Sequence, residues 1–312
     1  MIFLYFLVVI IGFIMLIKGA DFLVEGASSL AKKFKVSELA IGLTVVAFGT
    51  SAPELIVNIF ASIGNHHGIT FGNIIGSNIF NILVVLGVSG MLAPIIVKKN
   101  TVLKEMPFML IATMVAFFLA WQGQVLSRWD GAILISILVI FFIYIFGILK
   151  LNPMEGDDIK TFSTLRTIML IFVGMMGLFV GGKLVVDNSV KIAEIMKVSE
   201  KLIGLTIVAL GTSLPELVTS VIAVKKGRFD LAIGNVIGSN IFNILLVLGV
   251  TSLIHPVQYD MELNFDFAIL LAITLILFTT MFFGKKHRIN KGEAFSFLVI
   301  YASFIAYLIY RG

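Results

Sequence analysis

Two glutamates, Glu54 and Glu216, stand alone in long apolar segments of the sequence. The next polar loop residue after Glu54 is Asn65, about 16 Å away along a helix that rises ~1.5 Å per residue. That is about half of the ~30 Å hydrocarbon core of a bilayer, so Glu54 is expected near its midplane. A carboxylate there costs ~2.5–3.5 kcal/mol or more unless it is paired, protonated or bound to a cation. No Lys, Arg or His accompanies either glutamate at that depth, so the sequence predicts a bound cation. A protonated glutamate between helices is the alternative.

Each glutamate follows a proline in a segment of small and polar residues. The segments read Gly49-Thr50-Ser51-Ala52-Pro53-Glu54 and Gly211-Thr212-Ser213-Leu214-Pro215-Glu216. Proline has no N–H for the carbonyl four residues earlier, so we expect the helices to bend over residues 47–51 and 209–213. Such bends would release the carbonyls of Ala47 and Ala209 toward a cavity. Carbonyl, carboxylate and hydroxyl oxygens are hard ligands that suit Na⁺ or Ca²⁺ better than zinc or copper. The hydroxyls belong to Thr50, Ser51, Thr212 and Ser213.

A second repeated motif places polar side chains on one face of a companion helix. Asn73, Ser77 and Asn81 follow each other at intervals of four, which aligns them along one helix face. The same pattern recurs as Asn235, Ser239 and Asn243. We expect Asn81 and Asn243 to lie closest to the glutamates. Hydrogen bonding between helices is the alternative role, above all for Asn73 and Asn235.

The composition predicts that these motifs lie in an integral membrane protein. The chain has 312 residues, of which 59% are hydrophobic and 13% charged, and its mean hydropathy is +1.08. A soluble surface needs more polar residues than that, and ten membrane helices leave no room for a soluble domain. The absence of cysteine excludes disulfides, thiol catalysis and cysteine-bound metals. The predicted spans lie near 2–31, 37–63, 70–92, 105–121, 130–149, 165–195, 199–224, 231–253, 263–283 and 292–310.

The sequence repeats itself once along its length. Residues 36–88 align without a gap to residues 198–250, and more than half of the aligned positions are identical. We therefore divide the chain into a first five-helix repeat at 1–150, a cytoplasmic linker at 151–164 and a second five-helix repeat at 165–312. Because five is odd, the second repeat must cross the membrane in the opposite sense. Inverted repeats with interrupted helices are typical of secondary transporters, with the ion site near the midplane between the halves.

The distribution of basic residues predicts the orientation of the chain in a cell membrane. Most of the 23 Lys and Arg residues fall in the connections on one side, and positive connections stay cytoplasmic. Both the N and the C terminus are then extracellular. No basic stretch is interleaved with aromatic residues, so we expect no nucleic-acid partner.

The two repeated blocks identify a resemblance that covers essentially the whole chain. The hexapeptides ending at Glu54 and Glu216, each followed by Gly-Ser-Asn-Ile-Phe-Asn-Ile, resemble the alpha-repeats of the sodium/calcium exchanger family. The resemblance implies an all-α fold of ten transmembrane helices and a four-site cluster where three Na⁺ compete with one Ca²⁺. We expect neither a cofactor nor an obligatory protein partner besides the ions and the lipid bilayer.

The resemblance also implies a role for each polar residue of the motifs. Ca²⁺ would be held by Glu54, Glu216, Thr50 and Thr212. One peripheral Na⁺ site would use Ser51, Ser77 and the carbonyl of Ala47. The other would use Ser213, Ser239 and the carbonyl of Ala209. Asn81 and Asn243 would line the middle of the cluster.

One position departs from many members of the family. They have Asp where this chain has Asn243, among them potassium-dependent members, so the site has only two carboxylates. Their charge of −2 balances one Ca²⁺, whereas three Na⁺ leave one positive charge, and we expect electrogenic exchange. An H⁺-coupled or K⁺-dependent antiporter is the alternative, followed by a cation channel. We do not expect an enzyme, because no His, Asp or Lys is placed to orient a nucleophile.

Overall fold

Helices make up nearly all of the protein in its computed structural model, which describes residues 2–64, 67–149, 160–196, 209–283 and 287–311. Most of the predicted linker at 151–164 and residues 199–208 of the seventh predicted span lie outside these ranges. The described helices are α1 (Ile2–Phe34), α2 (Glu38–Thr50), α3 (Ala52–Ile63), α4 (Gly68–Leu92), α5 (Thr101–Gly123), α6 (Arg128–Leu149), α7 (Thr164–Ile195), α8 (Ala209–Thr212), α9 (Leu214–Lys225), α10 (Phe229–Ile254), α11 (Leu263–Thr280) and α12 (Lys291–Arg311).

Eight of these helices are long and apolar enough to cross a membrane, counting only the part of the chain that is described. The pair α2 and α3 makes a ninth candidate span, with a bend of 46° between its two parts. Large apolar side chains such as Phe3, Phe283 and Trp129 are exposed on the outside, as lipid contact requires. The predicted multi-pass all-helical architecture is confirmed. The count of ten spans, the inversion of the repeats and the position of both termini stay predictions.

Glycines bring α1 and α7 into backbone contact. A Cβ added to Gly12 would lie 2.9 Å from the carbonyl oxygen of Gly181, and one on Gly19 would lie 2.8 Å from that of Gly174. Gly26, farther along α1, faces Ile171, which is earlier in α7. The two helices therefore run antiparallel, with an approach that only small residues permit.

Helix α10 runs through the centre of the molecule. Every residue from Leu231 to Phe242 is buried. A Cβ on Gly234 would lie 2.6 Å from the carbonyl oxygen of Leu39, and one on Gly238 would lie 2.9 Å from the Cα of Leu43. These glycines let α10 pack closely against α2, so that the polar face of α10 lies beside the end of α2.

Two pairs of very short strands connect the two halves of the chain. β1 (Ile95–Ile96) pairs with β4 (Arg288–Ile289), and β2 (Val125–Leu126) pairs with β3 (Val257–Gln258), both antiparallel. Each pair joins a strand after a helix of the first half to a strand of the second half. The sequence did not predict these strands, because two residues are too few to carry an alternating pattern.

Candidate cation-binding site

The helix that contains each motif is interrupted at the serine of the motif, two residues before the proline. Helix α2 ends at Thr50, and Ser51 (φ −85°, ψ 3°) separates it from α3. Ser213 (φ −91°, ψ 5°) has the same conformation between α8 and α9. Proline fits the first turn of the helix that follows, because the N–H it lacks would be unsatisfied there. The breaks fall inside the windows predicted from the prolines.

The carbonyl of Ala47 is engaged, which corrects the expectation that the bend releases it. It accepts the N–H of Ser51 at 2.9 Å and the hydroxyl of Thr50 at 3.3 Å. The reason is local: Pro53 removes the donor to Gly49, whereas the donor to Ala47 is the N–H of Ser51. Ala209, its counterpart, begins α8.

The two glutamates are fully buried and are bonded crosswise to the serines of the opposite motif. The hydroxyl of Ser213 donates to Glu54 Oε1 at 3.2 Å, and the hydroxyl of Ser51 donates to Glu216 Oε1 at 3.1 Å. Both carboxylates have 0% exposure. The two motifs, far apart in sequence, thus form one cluster at the contact between the halves.

Around Glu216, the first motif meets the polar face of α10. Thr50 Oγ1 lies 3.0 Å from Asn235 Oδ1 and 3.3 Å from Ser239 Oγ. Asn235 donates in turn to the backbone carbonyl of Glu216 at 3.3 Å and to Ser220 at 3.0 Å. All of these side chains are buried.

Around Glu54, the second motif meets the polar face of α4. Thr212 Oγ1 donates to Asn73 Oδ1 at 3.2 Å, and Ser77 Oγ donates to the same oxygen at 3.5 Å. The expected grouping of Ser51 with Ser77, and of Ser213 with Ser239, is therefore wrong. The contacts place Ser239 beside Thr50 and the carbonyl of Ala47, because α4 and α10 each face the bend of the other half.

The two central asparagines are fully buried and bond to asparagines of the other half, while their expected closeness to the glutamates stays a prediction. Asn81 donates to Asn240 Oδ1 at 3.2 Å, and Asn243 donates to Asn78 Oδ1 at 3.1 Å. Asn81 and Asn243 each begin a π-helical turn, a local widening of the helix that often accompanies functional sites. Sequence reasoning missed Asn78 and Asn240, which lie off the predicted polar face. Their signal was the repeat itself, since both halves contain Ser-Asn at this position.

Four buried oxygens of these residues accept no hydrogen bond from any described residue. They are Glu54 Oε2, Glu216 Oε2, Asn81 Oδ1 and Asn243 Oδ1. In the described part of the chain no Lys, Arg or His forms an ion pair with either glutamate. A buried acceptor without a donor costs about 1–3 kcal/mol, and more for a charged group. A cation bound by such oxygens would remove this cost.

A cavity of about 550 Å³ borders the cluster at one end. The cavity reaches Pro53, Pro215 and Thr212, and its outer wall carries Lys183 and Asp187 of α7. Thr212 and Asn73 are half-buried, whereas their counterparts Thr50 and Asn235 are 0% exposed. The cavity therefore borders the cluster on the side of Thr212, whereas both glutamates stay fully buried.

Ion pairs close off the opposite end of the bundle. Lys226 Nζ lies 2.5 Å from Asp21 Oδ1 and 3.1 Å from Glu25 Oε1, which connects α1 to the turn after α9. Arg228 Nε lies 3.6 Å from Glu38 Oε1 at the start of α2. A smaller cavity of about 280 Å³ lies behind these side chains.

Comparisons with known proteins agree with this architecture. Residues 4–147 and 166–310 match the family described as sodium/calcium exchanger protein. The chain is 38% identical to the putative antiporter CaxA of Alkalimonas amylolytica, over 96% of both chains. It is 32% identical to the sodium/calcium exchanger MaX1 of Methanosarcina acetivorans, over 98% of both chains.

A solved structure of the sodium-calcium exchanger NCX_Mj, soaked with Na⁺ and Sr²⁺, superposes on this fold with a TM-score of 0.82. The two are 37% identical, and the match covers 98% of this chain and 99% of that one. These relatives are transporters and not enzymes. The chain belongs to the sodium/calcium exchanger family and is a multi-pass membrane protein of the cation/Ca²⁺ antiporter class.

Proposed function

We propose that the protein exchanges three Na⁺ for one Ca²⁺ by alternating access at the buried cluster between its halves. The observation that carries the proposal is the set of four unpartnered oxygens on Glu54, Glu216, Asn81 and Asn243. Carboxylate and amide oxygens are hard ligands that suit both ions. The relatives named as sodium/calcium exchangers support Na⁺ as the coupling ion.

The contacts suggest which residues bind Ca²⁺ and which bind each Na⁺. Ca²⁺ takes Glu54 and Glu216, with the hydroxyls of Thr50 and Thr212 beside them. One Na⁺ site uses Ser51, Ser239 and the carbonyl of Ala47, which gives up its bond to the hydroxyl of Thr50. The other uses Ser213, Ser77 and the carbonyl of Ala209. Asn81 and Asn243 line the site between them.

The orientation follows from charge and repeat together. Both termini are extracellular, and the halves at 1–150 and 165–312 are inverted repeats of five spans each. The antiparallel packing of α1 and α7, the first helices of the two halves, supports this arrangement. The cavity at Thr212 is then the extracellular access path, and the ion pairs of Lys226 lie on the cytoplasmic side.

The test uses purified protein in liposomes loaded with Na⁺ and diluted into Na⁺-free medium with radioactive Ca²⁺. We expect Ca²⁺ uptake that stops when the Na⁺ gradient is removed. Uptake that is equally fast without any gradient would indicate a channel. Uptake that follows a pH gradient in the absence of Na⁺ would indicate H⁺ coupling, and an absolute need for K⁺ would indicate K⁺ dependence.

We expect this exchange to be electrogenic, because two carboxylates balance one Ca²⁺ but leave one positive charge with three Na⁺. In Na⁺-loaded liposomes each cycle then moves one positive charge outward. Uptake should be faster when external K⁺ and valinomycin make the interior positive, and slower when it is negative. Liposomes with equal K⁺ on both sides, with and without valinomycin, are the control. A rate that ignores the potential would indicate two Na⁺ per Ca²⁺.

Replacing Lys226 with Ala should loosen the cytoplasmic end of α1. Half-exposed ion pairs contribute about 0.2–1 kcal/mol each, so we expect the loss of both to open that end about two- to thirtyfold more often. Because the chain contains no cysteine, Val24→Cys provides a single reporter in the 280 Å³ cavity. The measurement is its labelling rate by a membrane-impermeant maleimide applied from each side.

The matched control is Lys225→Ala, which removes an exposed neighbouring charge. We expect Lys226→Ala to speed labelling from the cytoplasmic side and Lys225→Ala to leave it unchanged. Equal labelling rates in the two variants would contradict a closing role for Lys226. Faster labelling from the outside would contradict the orientation.

A further inference from the structure

Four asparagines form a crosswise pair of hydrogen bonds between α4 and α10. Asn81 Nδ2 donates to Asn240 Oδ1 at 3.2 Å, and Asn243 Nδ2 donates to Asn78 Oδ1 at 3.1 Å. All four side chains are at most 1% exposed. The resemblance assigns a role to Asn81 and Asn243, whereas nothing assigns one to Asn78 or Asn240.

The orientation of the Asn78 side-chain amide is determined by a backbone carbonyl. Its Nδ2 lies 3.4 Å from the backbone carbonyl oxygen of Asn240, which can only accept a hydrogen bond. The amide nitrogen of Asn78 must therefore point to that carbonyl, and its oxygen must point to Asn243. The reverse orientation would bring two oxygens together.

Asn240 is constrained in a similar way, although by a weaker acceptor. Its Nδ2 lies 3.5 Å from Met109 Sδ, and a thioether sulfur can accept but not donate. Its oxygen is therefore directed to Asn81. Each of the two outer asparagines thus offers an oxygen to one central asparagine.

These oxygens decide which end of each central amide is left without a partner. When Asn81 and Asn243 direct their NH₂ groups to Asn240 and Asn78, their oxygens remain buried and without a donor. With the opposite orientation, each would present an N–H dipole to a bound cation and repel it.

We propose that Asn78 and Asn240 are positioning residues that orient the amide oxygens of Asn243 and Asn81 toward the transported cations. The inference rests on the proposed exchange function. The requirement for an orienting partner arises because an amide has a single oxygen. An aspartate at position 243 has two equivalent oxygens and needs no such orientation.

The test measures the Ca²⁺ concentration that gives half-maximal Na⁺-driven uptake in proteoliposomes. Losing one orienting hydrogen bond of about 0.5–1.5 kcal/mol should raise this concentration about three- to tenfold in Asn78→Ala. In the Asn243→Asp background the same change should raise it less than about twofold, since a carboxylate presents an oxygen in either orientation.

Asn240→Ala is the matched control, because the side chain of Asn240 orients Asn81 and not Asn243. Asn240→Ala should raise the half-saturating Ca²⁺ concentration by the same factor in the Asn243→Asp background as in the wild-type background. A merely structural role would give Asn78→Ala equal penalties in both backgrounds, and that result would overturn the proposal. If the wild type shows no Na⁺-dependent uptake, the proposed function fails and this inference fails with it.

A second variant covers the case in which Asn78→Ala does not fold. Asn78→Asp keeps an oxygen acceptor for Asn243, and in its acid form it also keeps a donor for the carbonyl of Asn240. We expect its half-saturating Ca²⁺ concentration to be no higher than that of the wild type. A rise in the wild-type background as large as the three- to tenfold expected for Asn78→Ala would overturn the proposal.

Discussion

Replacing Glu54 or Glu216 with Gln is expected to abolish Na⁺-driven Ca²⁺ uptake. Each substitution removes one of the two negative charges that balance Ca²⁺ inside a fully buried cluster. At an effective dielectric constant of ~20, two unit charges ~4 Å apart interact by about 4 kcal/mol, so we expect a loss of at least about 100-fold. The initial uptake rate, measured at saturating Na⁺ over a range of Ca²⁺ concentrations, is the quantity to compare.

Glu105 provides a matched control for these substitutions. It is also a buried glutamate in a spanning helix, with 2% exposure, but it lies outside the cluster and accepts the hydroxyl of Tyr144 at 2.5 Å. An amide oxygen can accept the same bond, so Glu105→Gln should transport Ca²⁺ at close to the wild-type rate. Substantial exchange by Glu54→Gln or Glu216→Gln would show that the charge balance is not what binds Ca²⁺.

The features that depend on local chemistry were predictable from the sequence. The position of Glu54 within an apolar segment predicted its depth, which stays a prediction, and Pro53 predicted the helix break just before it, which the structure shows. The repeat then transferred both expectations to Glu216 and Pro215. Each of these inferences needs only a few neighbouring residues, because helix rise and the missing proline N–H do not depend on the rest of the fold.

The features that depend on helix crossing were not predictable. Ser239 lies beside Thr50, and Ser77 lies with Thr212, because α4 and α10 pass each other in the centre of the bundle. A periodic pattern places residues on one face of a helix but does not say which end of another helix that face meets. Asn78 was missed for the same reason, since its partner is Asn243 in the other half.

The engaged carbonyl of Ala47 illustrates a second kind of error. The prediction that proline frees a carbonyl was sound, but it was applied two residues too early in the chain. The N–H of Ser51 remains available, because the helix continues to Thr50 before it breaks. The correction changes the chemistry of the site, since a Na⁺ at this carbonyl must compete with the hydroxyl of Thr50.

Replacing Gly174 with Ala is expected to destabilise the protein, although the same change usually stabilises a helix. A Cβ at this position would lie 2.6 Å from the backbone nitrogen of Leu23 and 2.8 Å from the carbonyl oxygen of Gly19. Backbone atoms cannot rotate away as side chains do, so α1 and α7 must separate. Overpacking typically costs about 1–3 kcal/mol, and here the whole length of a helix pair is displaced.

Gly147→Ala is the control, because here the same substitution should not lower the stability. Gly147 lies in the spanning helix α6, is exposed, and has no described atom within 4 Å of an added Cβ. Alanine favours the helix over glycine by about 0.8–1 kcal/mol, so this variant should be as stable as the wild type or more stable. The measurement is the temperature at which half of the detergent-solubilised protein remains monodisperse. Opposite shifts in the two variants would support backbone contact between α1 and α7, whereas a Gly174→Ala variant as stable as Gly147→Ala would contradict it.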